Sequence, residues 1–277
     1  MIPYHPCEEY TLPNIEMPRS QKSFGIALCR QDGDQLQVVM VKKRFTYQFF
    51  EFAYGKYKKN DDAYLGKLLS GMTYREKMLI ANLNFSEIWS NIWMASPENY
   101  NQNRLLQRPK GKGFISDGQY FKKKTKFNAN FLNDGARIRR LIDDSKNSEA
   151  NWEIPKGHKS GCETDIDAAA REFEEETGLR STDYDIMWHV PPIVEKYNDR
   201  GIYQNVYFLA TCRGDVIPKV LFKSPKQFAE VECIKWVSLK EIQFLRLVQQ
   251  VHDRNLRLFK LIKSKYRKKK LVDLLEI

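Results

Sequence analysis

The chain has 277 residues, 42% of them hydrophobic, and a formal net charge of +11. It contains no apolar run near the roughly 18 residues of a membrane-spanning helix, and its N-terminus lacks the pattern of a signal peptide, so we expect a cytoplasmic protein. The five cysteines are scattered and never form a Cys-x-x-Cys pair, which favours reduced thiols and argues against a zinc site.

The first elements along the chain are two β-rich runs, Ser23–Cys29 and Gln37–Val41. A turn signal, Gln31-Asp-Gly-Asp34, separates them and predicts a β-hairpin. Residues 1–22 are treated as an N-terminal extension before this hairpin.

Residues 45–149 show a different pattern, which predicts a mostly helical insertion domain. Apolar side chains recur at helical spacing in residues 61–69 and 85–93, and Thr73 with Glu76 forms a capping-box pattern. Residues 96–135 are polar and rich in Asn, Gly and Lys, which predicts a loop. Residues 134–143 predict one more helix.

The most specific feature is the segment from Gly157 to Leu179, GHKSGCETDIDAAAREFEEETGL. Thr164 and Asp167 form a capping-box pattern, and Gly178 is the expected left-handed helix stop. At 100° per residue, three glutamates share one arc beside the apolar stripe of this helix, while Glu174 points to the far side. These three are Glu172, Glu175 and Glu176.

Three carboxylates on one arc repel one another unless a hard cation lies among them. Mg²⁺ or Mn²⁺ prefers oxygen ligands and suits a pyrophosphate substrate, so this arc predicts a divalent metal site. The alternative is a solvated acidic helix face.

After this helix, residues 184–194 and 202–212 predict strands around a turn, and residues 231–237 predict another strand. A helix follows from Leu239. A long basic helix is expected for residues 251–277, where Lys263, Lys265 and Arg267 begin a second basic cluster.

The segment from Gly157 matches the Nudix box, Gly-x5-Glu-x7-Arg-Glu-U-x-Glu-Glu-x-Gly-U with U apolar, at every specified position. The chain resembles more closely the mRNA-decapping Nudix hydrolases of large cytoplasmic DNA viruses, of poxvirus and asfarvirus type. This likeness includes residues 23–30, Val-Lys-Lys-Arg-Phe45, Phe49-Phe-Glu-Phe52, Ile88 to Trp93, Trp152-Glu-Ile-Pro-Lys-Gly157 and Tyr207-Phe-Leu-Ala210.

The resemblance implies an α+β fold, the Nudix α/β/α sandwich, built from residues 23–44 and 150–250. It also implies metal-dependent hydrolysis of capped RNA, with m7GDP and 5′-monophosphate RNA as products. Some relatives act on diphosphoinositol polyphosphates, and hydrolysis of these or of nucleoside diphosphate derivatives is the alternative function. An RNA-binding protein with an inactive Nudix domain is a third.

Roles for the residues of the box follow from the pattern and the resemblance. Glu175 or Glu176 is a candidate base for the attacking water. Glu163 is either an outer metal ligand or the ion-pair partner of Arg171. Gly157 allows a phosphate to approach or the chain to turn, and its neighbours Lys156 and His158 are candidate phosphate contacts.

The resemblance also implies a further catalytic carboxylate from a loop distant in sequence. Glu230, just before the last strand, is the favoured candidate, and Glu232 is the alternative.

RNA recognition is predicted from basic residues interleaved with aromatic ones, because cations follow phosphates and aromatic faces stack on bases. The candidate RNA-binding residues are Arg104, Arg108, Lys110, Lys112, Lys122, Lys123, Lys124 and Lys126. The aromatic residues among them are Phe114, Tyr120, Phe121 and Phe127. Either basic cluster could instead be ordinary solvated surface.

Cap recognition needs aromatic rings around the cationic base and a carboxylate at its edge. Candidate rings are Tyr47, Phe49, Phe50, Tyr197 and Tyr203, and candidate carboxylates are Glu51 and Asp199. The phenylalanines could equally be core residues.

Overall fold

A computed structural model describes residues 21–59, 61–93, 117–131, 135–198, 202–221, 224–244 and 249–275. Among these residues, none of the helices has the length and apolar character required to cross a bilayer. The four cysteines in the described ranges are free thiols.

The centre of the fold is a mixed sheet of eight strands. The strands are β1 (Gln21–Asp32), β2 (Gln35–Lys43), β3 (Trp152–Glu153), β4 (Lys156–Gly157), β5 (Tyr184–Ile186), β6 (Ile193–Asn198), β7 (Ile202–Cys212) and β8 (Val231–Ser238). The main path runs β3-β2-β1-β7-β5, while β4, β6 and β8 pair with β1, β7 and β2. The β1–β7 pairing is parallel and the other pairings are antiparallel.

Ten helices lie in the described ranges. They are α1 (Tyr47–Ala53), α2 (Asp62–Ser70), α3 (Tyr74–Asn82), α4 (Phe85–Trp93), α5 (Asp117–Phe131), α6 (Gly135–Asp143), α7 (Asp165–Thr177), α8 (Pro225–Glu230), α9 (Leu239–Phe244) and α10 (Gln249–Leu275). The predicted hairpin is β1 and β2. The predicted strand over residues 184–194 is divided between β5 and β6.

Successive side chains of β1 point to opposite faces of the sheet and belong to two different apolar clusters. Both faces are therefore apolar, and helices cover both. Ile26 and Leu28 pack with Ala169 and Phe173 of α7 on one face. Ala27 and Cys29 pack on the other face with residues of α10 that include Phe259 and Ile262. This three-layer arrangement confirms the α+β sandwich. The basic C-terminal helix, which the sequence suggested as a separate element, buries its apolar side against the sheet.

Helices α1–α6 all fall within residues 45–149 and share a core of their own. The aromatic rings of Phe52, Phe127 and Phe131 lie in this core, with centroid distances of 5.3 to 6.1 Å. The predicted loop over 96–135 is therefore wrong for residues 117–131, which form α5. Lysine-rich composition concealed this helix, whose buried side is aromatic. Residues 94–116 lie outside the described residues.

Strand pairing brings distant segments to one end of the sheet. Val41 pairs with Glu153, and Phe24 pairs with Gly157. The insertion leaves the sheet directly after Lys43, the last residue of β2, and the chain returns at β3. As a result, the end of β2, the start of the box and α7 meet beside the root of the insertion.

Candidate active site on the box helix

Helix α7 is fixed at both ends by the signals found in its sequence. Thr164 accepts a hydrogen bond from the amide of Asp167, whose side chain accepts one from the amide of Thr164, so the capping box is present. Gly178 has φ +73°, in the left-handed region that favours glycine, and its amide donates to the carbonyl of Glu174. Ala168, Ala169 and Phe173 are buried against the sheet and set the rotation of the helix.

That rotation gives the four box glutamates different environments. The side chain of Glu176 is 4% exposed, that of Glu172 is 17% exposed and that of Glu175 is 31% exposed. Glu174 is 55% exposed and lies 3.8 Å from Arg180 on the outer side. The separation of Glu174 from the other three agrees with the helical geometry of the sequence.

Arg171 connects the box loop to the box helix. Its Nε and Nη2 donate to the Glu163 carboxylate at 2.6 and 3.0 Å, and its Nη1 donates to Glu172 at 2.7 Å. Nη2 also donates to the carbonyl of His158 at 2.9 Å. Glu163 was considered either as an outer metal ligand or as the partner of Arg171, and in the structure it forms the ion pair with Arg171. This hydrogen bond is the main cause that lowers the pKa of Glu163 to about 2.

A buried charge cluster lies next to Glu176 and consists of Lys43, Glu153, Lys156 and Glu176. Lys43 Nζ is 2.5 Å from Glu176 Oε1 and 3.4 Å from Glu153 Oε1. Lys156 Nζ is 2.9 Å from Glu153 Oε2, and the Lys156 amide donates to Glu176 Oε2 at 3.2 Å. Two ammonium groups thus balance two buried carboxylates, which is the arrangement that makes buried charge tolerable.

The cluster shifts the pKa values of its members. Burial raises the pKa of Glu176 to about 7, although Lys43 opposes the shift. Burial also favours neutral Glu153, yet Lys156 and Lys43 outweigh it and lower the pKa of Glu153 to about 2. For Lys43, burial lowers the pKa, but Glu176 and Glu153 hold it well above its ordinary value. Lys43 is therefore an ammonium ion at any physiological pH.

The two candidates for the distant carboxylate lie in different places. Glu230 ends α8 and is 3.7 Å from Lys43 Nζ, so it borders the cluster. Glu232 instead pairs with Lys42 at 3.3 Å. Gln227, which the sequence did not reveal, donates from Nε2 to the Glu176 carbonyl at 3.0 Å and ties α8 to the box helix.

The residues predicted to contact phosphate show other partners as well. Lys156 Nζ is turned toward Glu153, and His158 is exposed. Gly157 has no left-handed backbone, so a tight turn is not the reason for glycine here. Instead, a Cβ at this position would lie 2.1 Å from Glu172 Cδ. Gly157 makes room for the Glu172 carboxylate.

The donor set fits a hard divalent cation in its chemistry, since Glu172, Glu175 and Glu176 offer carboxylate oxygens on adjoining parts of one helix. Each of them has a basic neighbour. Glu172 and Glu175 lie 2.7 and 3.6 Å from Arg171, and Glu176 pairs with Lys43. In the described part of the chain, no three acidic, histidine or cysteine side chains already converge as a finished metal site.

The prediction that Phe49 contacts the cap is wrong, because this side chain is fully buried in the insertion core and stacks on Phe45. Phe50 packs against the same core, and Glu51 accepts from the Tyr64 hydroxyl at 3.3 Å. Tyr47 is 53% exposed, with its hydroxyl 3.5 Å from Glu153.

Tyr197 and Tyr203 are partners across the β6–β7 hairpin. Their rings stack on each other with centroids 5.2 Å apart, which leaves no space for a base between them. Arg254 covers the Tyr197 ring at 4.8 Å. The remaining cap candidate, Asp199, lies outside the described residues.

The candidate RNA-binding residues also lie in different environments. Arg104, Arg108, Lys110, Lys112 and Phe114 lie outside the described residues. Lys122, Lys123, Lys124 and Lys126 lie on α5 with partly or fully exposed side chains, and Phe121 is 53% exposed. Phe127 is wrong as a stacking candidate, because its ring is buried in the insertion core.

Sequence reasoning missed Lys43 and Glu153. Lys43 is separated from the box by the whole insertion, and only the sheet returns it to Glu176. A signal was nevertheless present, because Lys43 follows the apolar β2 strand and Glu153 stands in an otherwise buried segment. Lysine and glutamate are rarely fully buried unless they are paired.

Comparison with known proteins identifies the family of the chain. A NUDIX domain model matches residues 132–259. The mRNA-decapping protein g5R of African swine fever virus is 30% identical over 239 residues, which cover 83% of this chain and 90% of the relative. A putative mRNA-decapping protein of Acanthamoeba polyphaga mimivirus is 27% identical over 223 residues, covering 75% and 60% of the two chains.

Among solved structures, a Caenorhabditis elegans Ap4A hydrolase binary complex is similar with a TM-score of 0.41 and 12% identity, covering 88% of this chain and 98% of that chain. The family assignment rests on the domain match and the viral relatives. The chain belongs to the Nudix hydrolases, in the same family as the viral mRNA-decapping proteins.

Proposed function

We propose that this protein is a viral-type mRNA-decapping enzyme that hydrolyses the 5′ cap of RNA to m7GDP and 5′-monophosphate RNA. The observation that carries the proposal is the set Glu172, Glu175 and Glu176 beside two buried lysines, in a chain 30% identical to a viral decapping protein. The proposed location is the host cytoplasm.

The reaction is attack by water on the central phosphate of the cap triphosphate, which leaves with the methylated nucleoside as part of m7GDP. The new P–O bond forms to the water oxygen, and the bond to the oxygen that remains on the RNA breaks. A bound Mg²⁺ or Mn²⁺ would lower the pKa of the water and neutralise phosphate charge. Glu172, Glu175 and Glu176 would hold such ions, and Glu175, Glu176 or Glu230 accepts the proton.

The positive groups of the site have a separate task. Lys156 adjoins Gly157 at the start of the box, and its ammonium lies 2.9 Å from Glu153 in the charge cluster. We assign Lys156, with Gly157 and His158, to the phosphate chain of the substrate. Arg171 and Glu163 brace the loop that carries these residues, since their ion pair joins it to α7.

Two features favour an RNA substrate over a free nucleotide. The first is the net charge of +11, which is high for an enzyme whose centre is acidic. The second is α5, where Lys122, Lys123, Lys124 and Lys126 accompany the exposed ring of Phe121. Cations of this kind follow a phosphate backbone, and an exposed ring stacks on an unpaired base for about 1–3 kcal/mol.

For the methylated base, we propose the neighbourhood of Tyr47. Tyr47 is exposed at the root of the insertion, and its hydroxyl lies 3.5 Å from the Glu153 carboxylate. Tyr47 therefore borders the charge cluster, where the cap phosphates are proposed to lie. The ring of Tyr197 is a weaker candidate, because it already stacks on Tyr203 and contacts Arg254.

One assay tests the function. Purified protein with Mg²⁺ or Mn²⁺ is incubated with cap-labelled RNA, alongside Glu176→Gln and the matched control Glu174→Gln. We expect m7GDP from the wild type and from Glu174→Gln, and a loss of at least about a hundredfold for Glu176→Gln.

Other outcomes identify the alternatives. Cleavage of a diphosphoinositol polyphosphate without release of m7GDP would replace the proposal by the inositol pyrophosphate function. RNA binding without hydrolysis of either substrate would leave an inactive RNA-binding protein. Equal loss in the Glu174 and Glu176 variants would refute the assignment of the site.

A further inference from the structure

Lys43 is the feature that the proposed reaction does not yet use. It ends β2, where the pairing with β8 shifts register between Lys42 and Lys43. Its ammonium lies within 4 Å of carboxylates from three elements: Glu153 of β3, Glu176 of α7 and Glu230 of α8. Its side chain is only 15% exposed, so water does little to screen these contacts.

Among the described residues, Lys43 is the only side-chain cation within 4 Å of the Glu176 carboxylate. A divalent ion that takes Glu176 as a ligand lies about 2.0–2.1 Å from one of its oxygen atoms. Such an ion is then close to the Lys43 ammonium, and the two positive charges repel each other in a poorly hydrated setting. The ion and the Lys43 ammonium therefore compete for Glu176.

The cluster also provides a place for the displaced ammonium. Glu153 and Glu230 are already 3.4 and 3.7 Å from Lys43 Nζ, so a small side-chain rotation keeps the charge neutralised. Glu230 is 58% exposed, which places this alternative partner at the solvent side of the cluster.

We propose that Lys43 is a positioning residue that holds Glu176 in the metal-free protein and competes with the divalent ion for it. In this way Lys43 keeps the buried carboxylate in place before an ion arrives. It also weakens the intrinsic affinity for that ion. The inference rests on the proposed role of Glu176 as an ion ligand.

The test measures Mn²⁺ binding without RNA, by the electron paramagnetic resonance signal of free Mn²⁺. Lys43→Gln should bind Mn²⁺ roughly tenfold more tightly than the wild type, because the competing charge is gone. Lys43→Arg should stay within about threefold of the wild type, because it keeps the charge.

Lys42→Gln is the matched control. It removes the same formal charge from the adjacent residue, whose partner is Glu232, and should change affinity less than about twofold.

The gain must also depend on Glu176. Glu176→Gln combined with Lys43→Gln should remove the tighter binding, as a coupled pair requires. Equal or weaker Mn²⁺ binding by Lys43→Gln, with a wild-type circular dichroism spectrum, would overturn the proposal. Should Lys43→Gln not fold, tighter binding by Lys43→Arg than by the wild type would overturn it instead.

The two proposals fail separately. If Lys43→Gln does not bind Mn²⁺ more tightly and the wild type still releases m7GDP, only the proposed competition at Glu176 is refuted. If Lys43→Gln does bind Mn²⁺ more tightly but the wild type does not cleave capped RNA, only the proposed decapping function is refuted.

Discussion

The backbone of Gly157 lies directly against the carboxylate of Glu172. A Cβ at position 157 would be 2.1 Å from Glu172 Cδ and 2.2 Å from Oε2, a distance that nonbonded atoms do not reach. The first glycine of the box therefore serves the first metal-ligand candidate of the helix.

Gly157→Ala should displace the Glu172 carboxylate, because β4 is held by its pairing with β1 and cannot retreat easily. We expect Mn²⁺ affinity and decapping rate each to fall by about tenfold or more, since misplaced catalytic groups lose rate steeply. Gly66→Ala is the control. It has open space at its Cβ within helix α2 and should stabilise the fold by up to about 1 kcal/mol with activity unchanged. Wild-type Mn²⁺ binding by Gly157→Ala would contradict the prediction.

Arg171 should not tolerate lysine, because its guanidinium reaches Glu163, Glu172 and the His158 carbonyl at once. A single ammonium cannot reproduce that fork. Arg171→Lys should lower kcat by about tenfold while the free energy of unfolding falls by about 1–2 kcal/mol. Arg180→Lys, at the exposed partner of Glu174, should change neither quantity measurably. Similar kinetics for both variants would show that the fork has no role in the site.

The part of this site that could be predicted is the part that lies within one helix and its loop. Box spacing and helical periodicity separate Glu172, Glu175 and Glu176 from Glu174 without a structure. Lys43 and Glu153 could not be assigned in that way, since they meet only when β2 and β3 pair across the insertion.

The fold shows the same division between local and long-range information. The Thr73–Glu76 capping box and the Gly178 stop are local signals, and both were predicted correctly. Helix α5 was missed because its surface composition is that of a loop, and only packing of Phe127 and Phe131 in the insertion core reveals it.

Glu76 is expected to be critical for the stability of the insertion. Its buried carboxylate accepts hydrogen bonds from the amides of Thr46 and Thr73 at 2.5 and 2.7 Å, and from both hydroxyl groups. It thereby connects the N-termini of α1 and α3. Glu76→Gln replaces one accepting oxygen by a donor that faces other donors, so unfolding should become easier by about 2–4 kcal/mol. Chemical denaturation measures this change.

The control for Glu76 is Glu87→Gln, which affects one helix start only. The Glu87 carboxylate accepts from the amide of Asn84 at 2.8 Å in an exposed setting. Its loss should cost at most about 1 kcal/mol. A Glu76 variant no less stable than the Glu87 variant would show that the shared cap contributes little.

The Glu153 carboxyl makes the free energy of unfolding depend on pH in the acid range. Its pKa in the folded state is about 2, against an ordinary value of 4.5, because Lys156 and Lys43 outweigh the effect of burial. A depressed carboxyl pKa stabilises the fold above pH 4.5, and that contribution is lost as the pH falls toward 2. Glu153→Gln should cost about 3–5 kcal/mol at pH 7, because buried Lys156 loses its partner, and the difference from wild type should shrink between pH 4.5 and 2. Urea denaturation across this range provides the measurement.

Glu174→Gln, on the exposed side of α7, is the control and should follow the wild type within about 0.5 kcal/mol at each pH. A constant difference between Glu153→Gln and the wild type across the range would show that this carboxyl is not stabilised in its charged form.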